Sequence, residues 1–408
     1  MTDAPASELD AFRARCREFV DARRHMAGRH QSGESDDESR ARAVAYQRAL
    51  ADAGLAGITF PEEYGGAGLT IEHQRVFNEE AEGFESPASL FMIGLGMCAP
   101  TILMFGTEEQ KRALLPGLLR ADTLWCQLFS EPGAGSDIAS LQTRAVRDGD
   151  EWVVHGQKVW TSGAHYCDYG LMLARTNPDV PKHRGISMFV VPMRTPGVDP
   201  RPLRQIDGRA HFNEVFLTEA RLPETALLGP VDEGWRCAVT MLMNERAALG
   251  AGNSGQGLSS EPFEGLVALA RLHGADRDPL VRQALADIYL RERTLLLLGA
   301  RLRAATQAGR APGPEASVGK IAITALDKLA TGLALNIAGP GGVAWELGDG
   351  AAEDRKRAFL QAPGISIAGG TTEVQKNIIG ERVLGLPKEP QVDRDVPFRD
   401  LVVGTQTR

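Results

Sequence analysis

Thr143 to Gly156 reads TRAVRDGDEWVVHG, and this stretch decides the fold class. Apolar and polar residues alternate on both sides of Asp148-Gly149, as in two antiparallel strands meeting at a tight turn. Short runs of the same kind follow in YGLMLART, GISMFVVPM and HFNEVFL, separated by Pro and Gly. Outward from this block the period changes. Leu9, Phe12, Cys16, Phe19 and Val20 recur at helical spacing, and Thr107 with Gln110 predicts a capping box opening TEEQKRALLPGLL. RHQSGESDDESRAR (29–42) reads as a solvated loop or helix edge, and DAGLAGITFPEEYGGAGLT (52–70) as a connector between helices. After Gly234 helical spacing returns in WRCAVTMLMNERAALGAG, PLVRQALADIYLRERTLLLLGARLRAATQ, ASVGKIAITALDKLATGLALNIAG and a final helix, enough for a four-helix bundle. The expected class is mainly α with a central β domain. A helical domain spans 1–121, an antiparallel, barrel-like β domain 122–233, the bundle 234–388 and a polar tail 389–408. Turn spacing predicts about six to eight strands.

Composition sets the limits. With 408 residues, 43% hydrophobic and 24% charged, the chain has the makeup of a globular protein of two or three domains. A net charge of −8 gives no pull toward nucleic acid. Five scattered cysteines (Cys16, Cys98, Cys126, Cys167, Cys237) have neither disulfide nor metal-ligand spacing, so reduced thiols and no metal site are expected. No apolar signal core and no long uncharged apolar run stands out, so a cytoplasmic protein without membrane segments is expected.

Four stretches carry candidate chemistry. LWCQLFSEPGAGSD (124–137) runs from a strand into a Gly-rich loop with Ser130 and Ser136 at its ends, able to offer backbone donors to a phosphate or flat cofactor. KVWTSGAH (158–165) places Trp160 and Ser162 on one strand face; a core tryptophan fits equally. Glu245 shares a helix face with Ala238, Met241, Leu242 and Leu249. A carboxylate in such a stripe is either paired to an arginine or desolvated into a stronger base. GISIAGGTTEVQKNIIGERVLGLP (364–387) begins as an apolar run, turns at Gly369-Gly370 and enters a helix, where Thr372 and Gln375 suggest a capping box. Two glycines ahead of a helix leave N–H groups bare and allow close approach.

Taken together, in order and spacing from about residue 40 to 388, these stretches resemble the acyl-CoA dehydrogenase family. The resemblance implies FAD as cofactor and an acyl-CoA substrate undergoing α,β-dehydrogenation, with an electron-transferring flavoprotein as acceptor. It places Gln127, Phe129, Ser130, Trp160, Thr161 and Ser162 against the flavin, and Ser136 on the CoA ester. Asn336, Gly339, Thr371 and Glu373 would approach a flavin across a subunit boundary, implying a dimer or tetramer. Most members carry the catalytic glutamate where this chain has Gly369. The isovaleryl- and long-chain-type members carry it on the bundle helix next to an arginine, an arrangement that Glu245-Arg246 matches. Glu245 would then remove the α-proton, Arg246 and Gly370 would serve the substrate, and the N–H of Gly369 would hold the developing oxyanion.

One departure is marked. The family's Arg-x-x-Phe-Gly run, which binds the flavin pyrophosphate, is replaced by RLHGADRDPLVRQ (271–283), where Arg271, His273 and Arg277 are the available cations. The segment 253–265 also interrupts a helix, either opening the pocket or forming a surface loop. Three rivals stand beside the main reading: a flavin oxidase or monooxygenase on the same fold, a catalytically partial subunit of a hetero-oligomer, and an enzyme for carrier-protein thioesters.

Overall fold

The computed structural model describes residues 6–28, 34–250, 259–307, 313–344, 350–391 and 393–401, with the side chains of 245–250 outside that description. Two compact units emerge, one reaching to Glu245 and taking in the tail from Pro390, the other running from Arg246 to Glu389.

The first unit opens with α1 (Ala6–Ala22), α2 (Asp36–Asp52), α3 (Ile71–Glu80), α4 (Ala99–Phe105) and α5 (Glu108–Leu119). The stripe on α1 is a core stripe: Phe12, Cys16, Phe19 and Val20 are buried with Tyr46 and Leu50. The charged run is a helix edge from Asp36 onward, where α2 begins. The capping box at α5 forms: Gln110 N donates to Thr107 Oγ1 (3.2 Å) and Thr107 N to Gln110 Oε1 (3.0 Å).

Eight strands follow: β1 (Trp125–Leu128), β2 (Arg144–Asp148), β3 (Glu151–Ser162), β4 (Tyr169–Arg175), β5 (Ile186–Pro192), β6 (Val198–Leu203), β7 (Phe212–Pro223) and β8 (Leu227–Leu228). Their order is β6-β7-β3-β2-β4-β5-β8, with β1 added on β4. Pairing is antiparallel except for β1 with β4 and a single β2–β4 contact. The hairpin turns at Asp148-Gly149 as its sequence requires, Gly149 taking φ 66°. β4 and β5 are apolar along most of their length, Arg175 and Ser187 apart, because both faces are covered. Leu171 and Leu173 enter one core with α4 and α5, while Met172 and Ala174 enter the other with Trp152 and Phe189. Sequence reading passed over β6, whose VDPRPL carries two prolines; the strand tolerates them because it pairs only with β7, at the end of the order.

The helices that follow are α6 (Gly234–Gly250), α7 (Phe263–Leu272), α8 (Pro279–Gln307), α9 (Ala316–Ala338), α10 (Pro340–Val343), α11 (Ala351–Ile365) and α12 (Thr372–Ile378). In the second unit Leu266, Leu269, Leu285, Ile288, Leu326, Ala330 and Ile337 form one core across α7, α8 and α9. α9, which carries Lys320, Asp327 and Lys328, is long and apolar enough to cross a membrane by length and composition. Its Leu326, Ala330 and Ala334 are fully buried in the core of this unit. The apolar run at Gly364 begins in the last turn of α11. One local expectation is corrected. The cap of α12 is Thr371, one residue earlier than the predicted Thr372, because Gln375 turns back to Gly369 and leaves no reciprocal box. All five cysteines are free and buried.

Candidate functional site

In the first unit the Gly-rich loop leaves β1 and is held by a buried ion pair. Lys158, fully buried on β3, donates from Nζ to Glu131 Oε1 (2.8 Å) and to the Phe129 carbonyl (3.1 Å). Glu131 also accepts the N–H groups of Gln142 (2.6 Å) and Thr143 (3.0 Å). Burial opposes the Glu131 charge, but the Lys158 ammonium and these hydrogen bonds outweigh it and hold the carboxyl below its ordinary range. The loop is thereby laid along β3, where Val159 N donates to the Ser130 carbonyl (2.9 Å).

At that point β3 bulges. Between Lys158 and Thr161 the register with β7 slips, and Trp160 takes φ 60°. The bulge turns Trp160 outward: it is 61% exposed and touches Phe212 edge-on at 6.0 Å, so it is not a core tryptophan. Thr161 is buried with a hydroxyl that finds no partner, while its carbonyl accepts Asn213 Nδ2 (2.9 Å). Gln127, Ser130 and Ser162 are half-buried and Ser136 is exposed. Phe129 sits in the core, so only its backbone is available to a ligand. Among the described residues β1 pairs with β4 alone, which leaves its other edge unpaired. An exposed indole on a residue held in a left-handed conformation, an orphaned buried hydroxyl and a strand end with a half-buried Gln127 offer apolar and polar groups together. That arrangement fits a flat ring system with hydrogen-bonding edges, such as a flavin.

In the second unit the double-glycine turn has three fixed carbonyls. Lys320 Nζ on α9 donates to Gly370 O (2.7 Å) and Ser366 O (3.2 Å), Gln375 Nε2 to Gly369 O (2.9 Å), and Thr372 N to Ser366 O (3.1 Å). Gly369 and Gly370 take φ 65° and 94°, the left-handed region open to glycine. A Cβ at position 370 would stand 2.7 Å from Gln375 Nε2. Thr371 caps α12 by accepting Val374 N (3.2 Å), and Glu373 stands in the first turn. Among the described residues the N–H groups of Gly369 and Gly370 donate to no backbone acceptor. Glycines without side chains ahead of a helix N-terminus can offer such N–H groups to a negatively charged oxygen.

The remaining predicted residues are dispersed. Asn336 is exposed at the end of α9, and Gly339 ends the helix there with φ 61°. Arg271 lines a cavity of about 380 Å³ with Arg282, Asp276, Phe263 and Tyr289. His273 caps the end of α7, and Arg277 is exposed in the connection to α8. Glu245 and Arg246 fall on α6, but their side chains lie outside the described residues, as do residues 253–258 of the predicted 253–265 break; its described end leads into α7 at Phe263. Sequence reading missed Lys158, Glu131 and Lys320. The available signal was a lysine inside an apolar strand or helix, which a buried acceptor must satisfy.

Comparison with known proteins agrees along most of the chain. Residues 6–122 match the model of the acyl-CoA dehydrogenase N-terminal domain, 126–219 the middle domain and 232–384 the C-terminal domain. The chain is 38% identical over 394 residues to the acyl-CoA dehydrogenase IpdE1 of Mycobacterium tuberculosis, covering 94% of this chain and 99% of that protein. Among solved structures, the Tcur3481-Tcur3483 steroid ACAD matches with a TM-score of 0.76 at 31% identity, covering 95% of this chain and all (100%) of the other. The ChsE4-ChsE5 complex from M. tuberculosis matches at 0.74 and 29%, with the same coverage of 95% and 100%.

Proposed function

This chain belongs to the acyl-CoA dehydrogenase family and is an oxidoreductase acting on CH–CH groups, and on that premise we propose how its own residues divide the work. Glu245 removes the α-proton of a CoA thioester. The N–H of Gly369 receives the thioester oxygen as it gains charge, a main-chain role that survives the loss of a side chain at that position. Such preorganised donors commonly contribute about 3–4 kcal/mol. Trp160, Thr161 and Ser162, with Gln127 and Ser130, hold FAD, which when bound supplies the acceptor for the β-hydride. Ser136, Arg246 and Gly370 bind the CoA ester, and Asn336, Gly339, Thr371 and Glu373 approach the cofactor from a neighbouring subunit. An electron-transferring flavoprotein takes the electrons onward.

The observation that carries this reading is the Gly369-Gly370 turn, with its carbonyls tied back and its N–H groups left over. In keeping with the steroid relative, ring-bearing CoA thioesters are the proposed substrates. The test is an anaerobic panel of acyl-CoA esters followed by loss of flavin colour. Bleaching by ring-bearing thioesters ahead of short linear ones supports the proposal; bleaching by none of them removes it.

A second reading concerns assembly: this chain is one component of a two-chain enzyme. The missing Arg-x-x-Phe-Gly run and the ChsE4-ChsE5 relative favour it. So do Leu280, Leu297 and Val343, apolar residues 81%, 72% and 76% exposed on the second unit. Expressing the chain alone and with candidate partner chains, and measuring bound FAD and mass in solution, separates the two. A yellow homo-oligomer formed alone excludes the two-chain form.

A further inference from the structure

Arg175 joins three separated segments of the first unit. It lies at the end of β4, 4% exposed. Its Nη1 donates to Lys182 O (2.6 Å), and its Nη2 to Ala139 O (2.6 Å) and Leu141 O (3.4 Å). Its backbone N–H donates to Thr143 O (2.6 Å). Residues 139–143 directly follow Ser136-Asp137, so the guanidinium anchors the trailing half of the Gly-rich loop. Lys182 holds the same end, donating from Nζ to Asp137 Oδ2 (2.9 Å), which also accepts Ser140 Oγ (2.5 Å).

Both cations are completed by the C-terminal tail. Lys182 Nζ also donates to Asp393 Oδ2 (3.1 Å). The Phe398 ring covers the Arg175 guanidinium, 3.8 Å from Cζ to ring centre. The tail is fastened beside them: Phe398 N donates to Val180 O (2.9 Å), Arg399 N to Pro178 O (3.0 Å), and Arg399 pairs with Asp179. These residues lie beyond 384, where the match to the family's C-terminal domain ends.

We propose that residues 393–401 clamp the loop that carries Ser136, with Phe398 and Asp393 as positioning residues for binding of the CoA thioester. The mechanism is mechanical and electrostatic. Phe398 keeps water off a guanidinium whose hydrogen bonds set the 139–143 carbonyls, and Asp393 balances the lysine that restrains Asp137. The claim about substrate rests on the assignment of Ser136 to the CoA ester; the claim about the loop does not.

The test uses the full-length, cofactor-loaded protein with Phe398→Ala, Phe398→Tyr and Asp393→Asn. Hydrogen exchange of amides in 136–143 and steady-state kinetics on an accepted acyl-CoA ester are both measured. A desolvated cation–π contact and an ion pair of this kind predict a rise in KM of about three- to tenfold for Phe398→Ala, with kcat within about twofold. Exchange in 136–143 rises, Phe398→Tyr restores both values, and Asp393→Asn shifts them the same way by less. Unchanged exchange and KM in both Phe398→Ala and Asp393→Asn overturns the clamp, as does a loss spread evenly over the first unit that Phe398→Tyr does not restore. Should Phe398→Ala not fold, Asp393→Asn decides alone. If the wild-type protein turns over no CoA thioester, the assignment of Ser136 fails, and the exchange data still decide the clamp.

Discussion

Replacing Lys158 by Met removes the ammonium from the pair that holds the Gly-rich loop and leaves Glu131 buried with two backbone donors. Lys158 is 0% and Glu131 8% exposed, so water cannot stand in. Breaking a buried pair from one side costs about 3–5 kcal/mol, part of it the lost hydrogen bond to Phe129 O. The penalty depends on pH, and the sign is set by Glu131. Its carboxyl is held below the ordinary range in the folded protein. The pair therefore contributes fully above the unfolded value of about 4.3 and loses its contribution as pH falls through the lower folded value. Lys158→Met accordingly costs most near neutrality and less as Glu131 becomes protonated. Urea unfolding followed by tryptophan fluorescence at several pH values measures this. A double-mutant cycle with Glu131→Gln should return a coupling of about 1–3 kcal/mol. A cost under about 1 kcal/mol, or one that is flat from neutral to acid pH, refutes the reasoning.

Three further outcomes follow from the same geometry. Gly370→Ala forces φ 94° on an alanine and drives a Cβ to within 2.7 Å of Gln375. It should cost about 1–3 kcal/mol locally and lower kcat by about tenfold or more, read by thermal melts and steady-state kinetics. Lys320→Met releases the Gly370 and Ser366 carbonyls and should lower kcat more than it raises KM while FAD stays bound; a pure KM effect contradicts the positioning of the turn. Trp160→Ala removes an exposed ring that contributes little to the core, so the melting point of the apoprotein should hold while FAD dissociates faster through gel filtration.

Much of the fold was legible because it rests on period. The alternation around Asp148-Gly149, the stripe of α1 and the Thr107–Gln110 box each follow from neighbours in sequence. Legibility ended where distant residues decide. The two prolines of β6 hid a strand that only its place at the end of the order permits. The pairing of Gln375 with Gly369 moved the cap to Thr371, a choice that the hydroxyls of Thr371 and Thr372 leave open locally. The bulge that exposes Trp160 depends on the slipped register with β7, and no pattern within KVWTSGAH encodes it. Lys158 and Lys320 escaped notice because their acceptors lie 27 and 50 residues away, and Arg175 because its carbonyl acceptors at 139, 141 and 182 and the covering ring of Phe398 are brought together only by the fold.

The assignment of Glu245 as the base is tested most directly by following exchange of the substrate's α-protons into deuterated water, comparing wild type with Glu245→Gln at equal FAD content. The account predicts rapid exchange in wild type and a fall of about a hundredfold or more in the variant, with binding of the CoA ester retained. Exchange that proceeds at the wild-type rate in Glu245→Gln would contradict it.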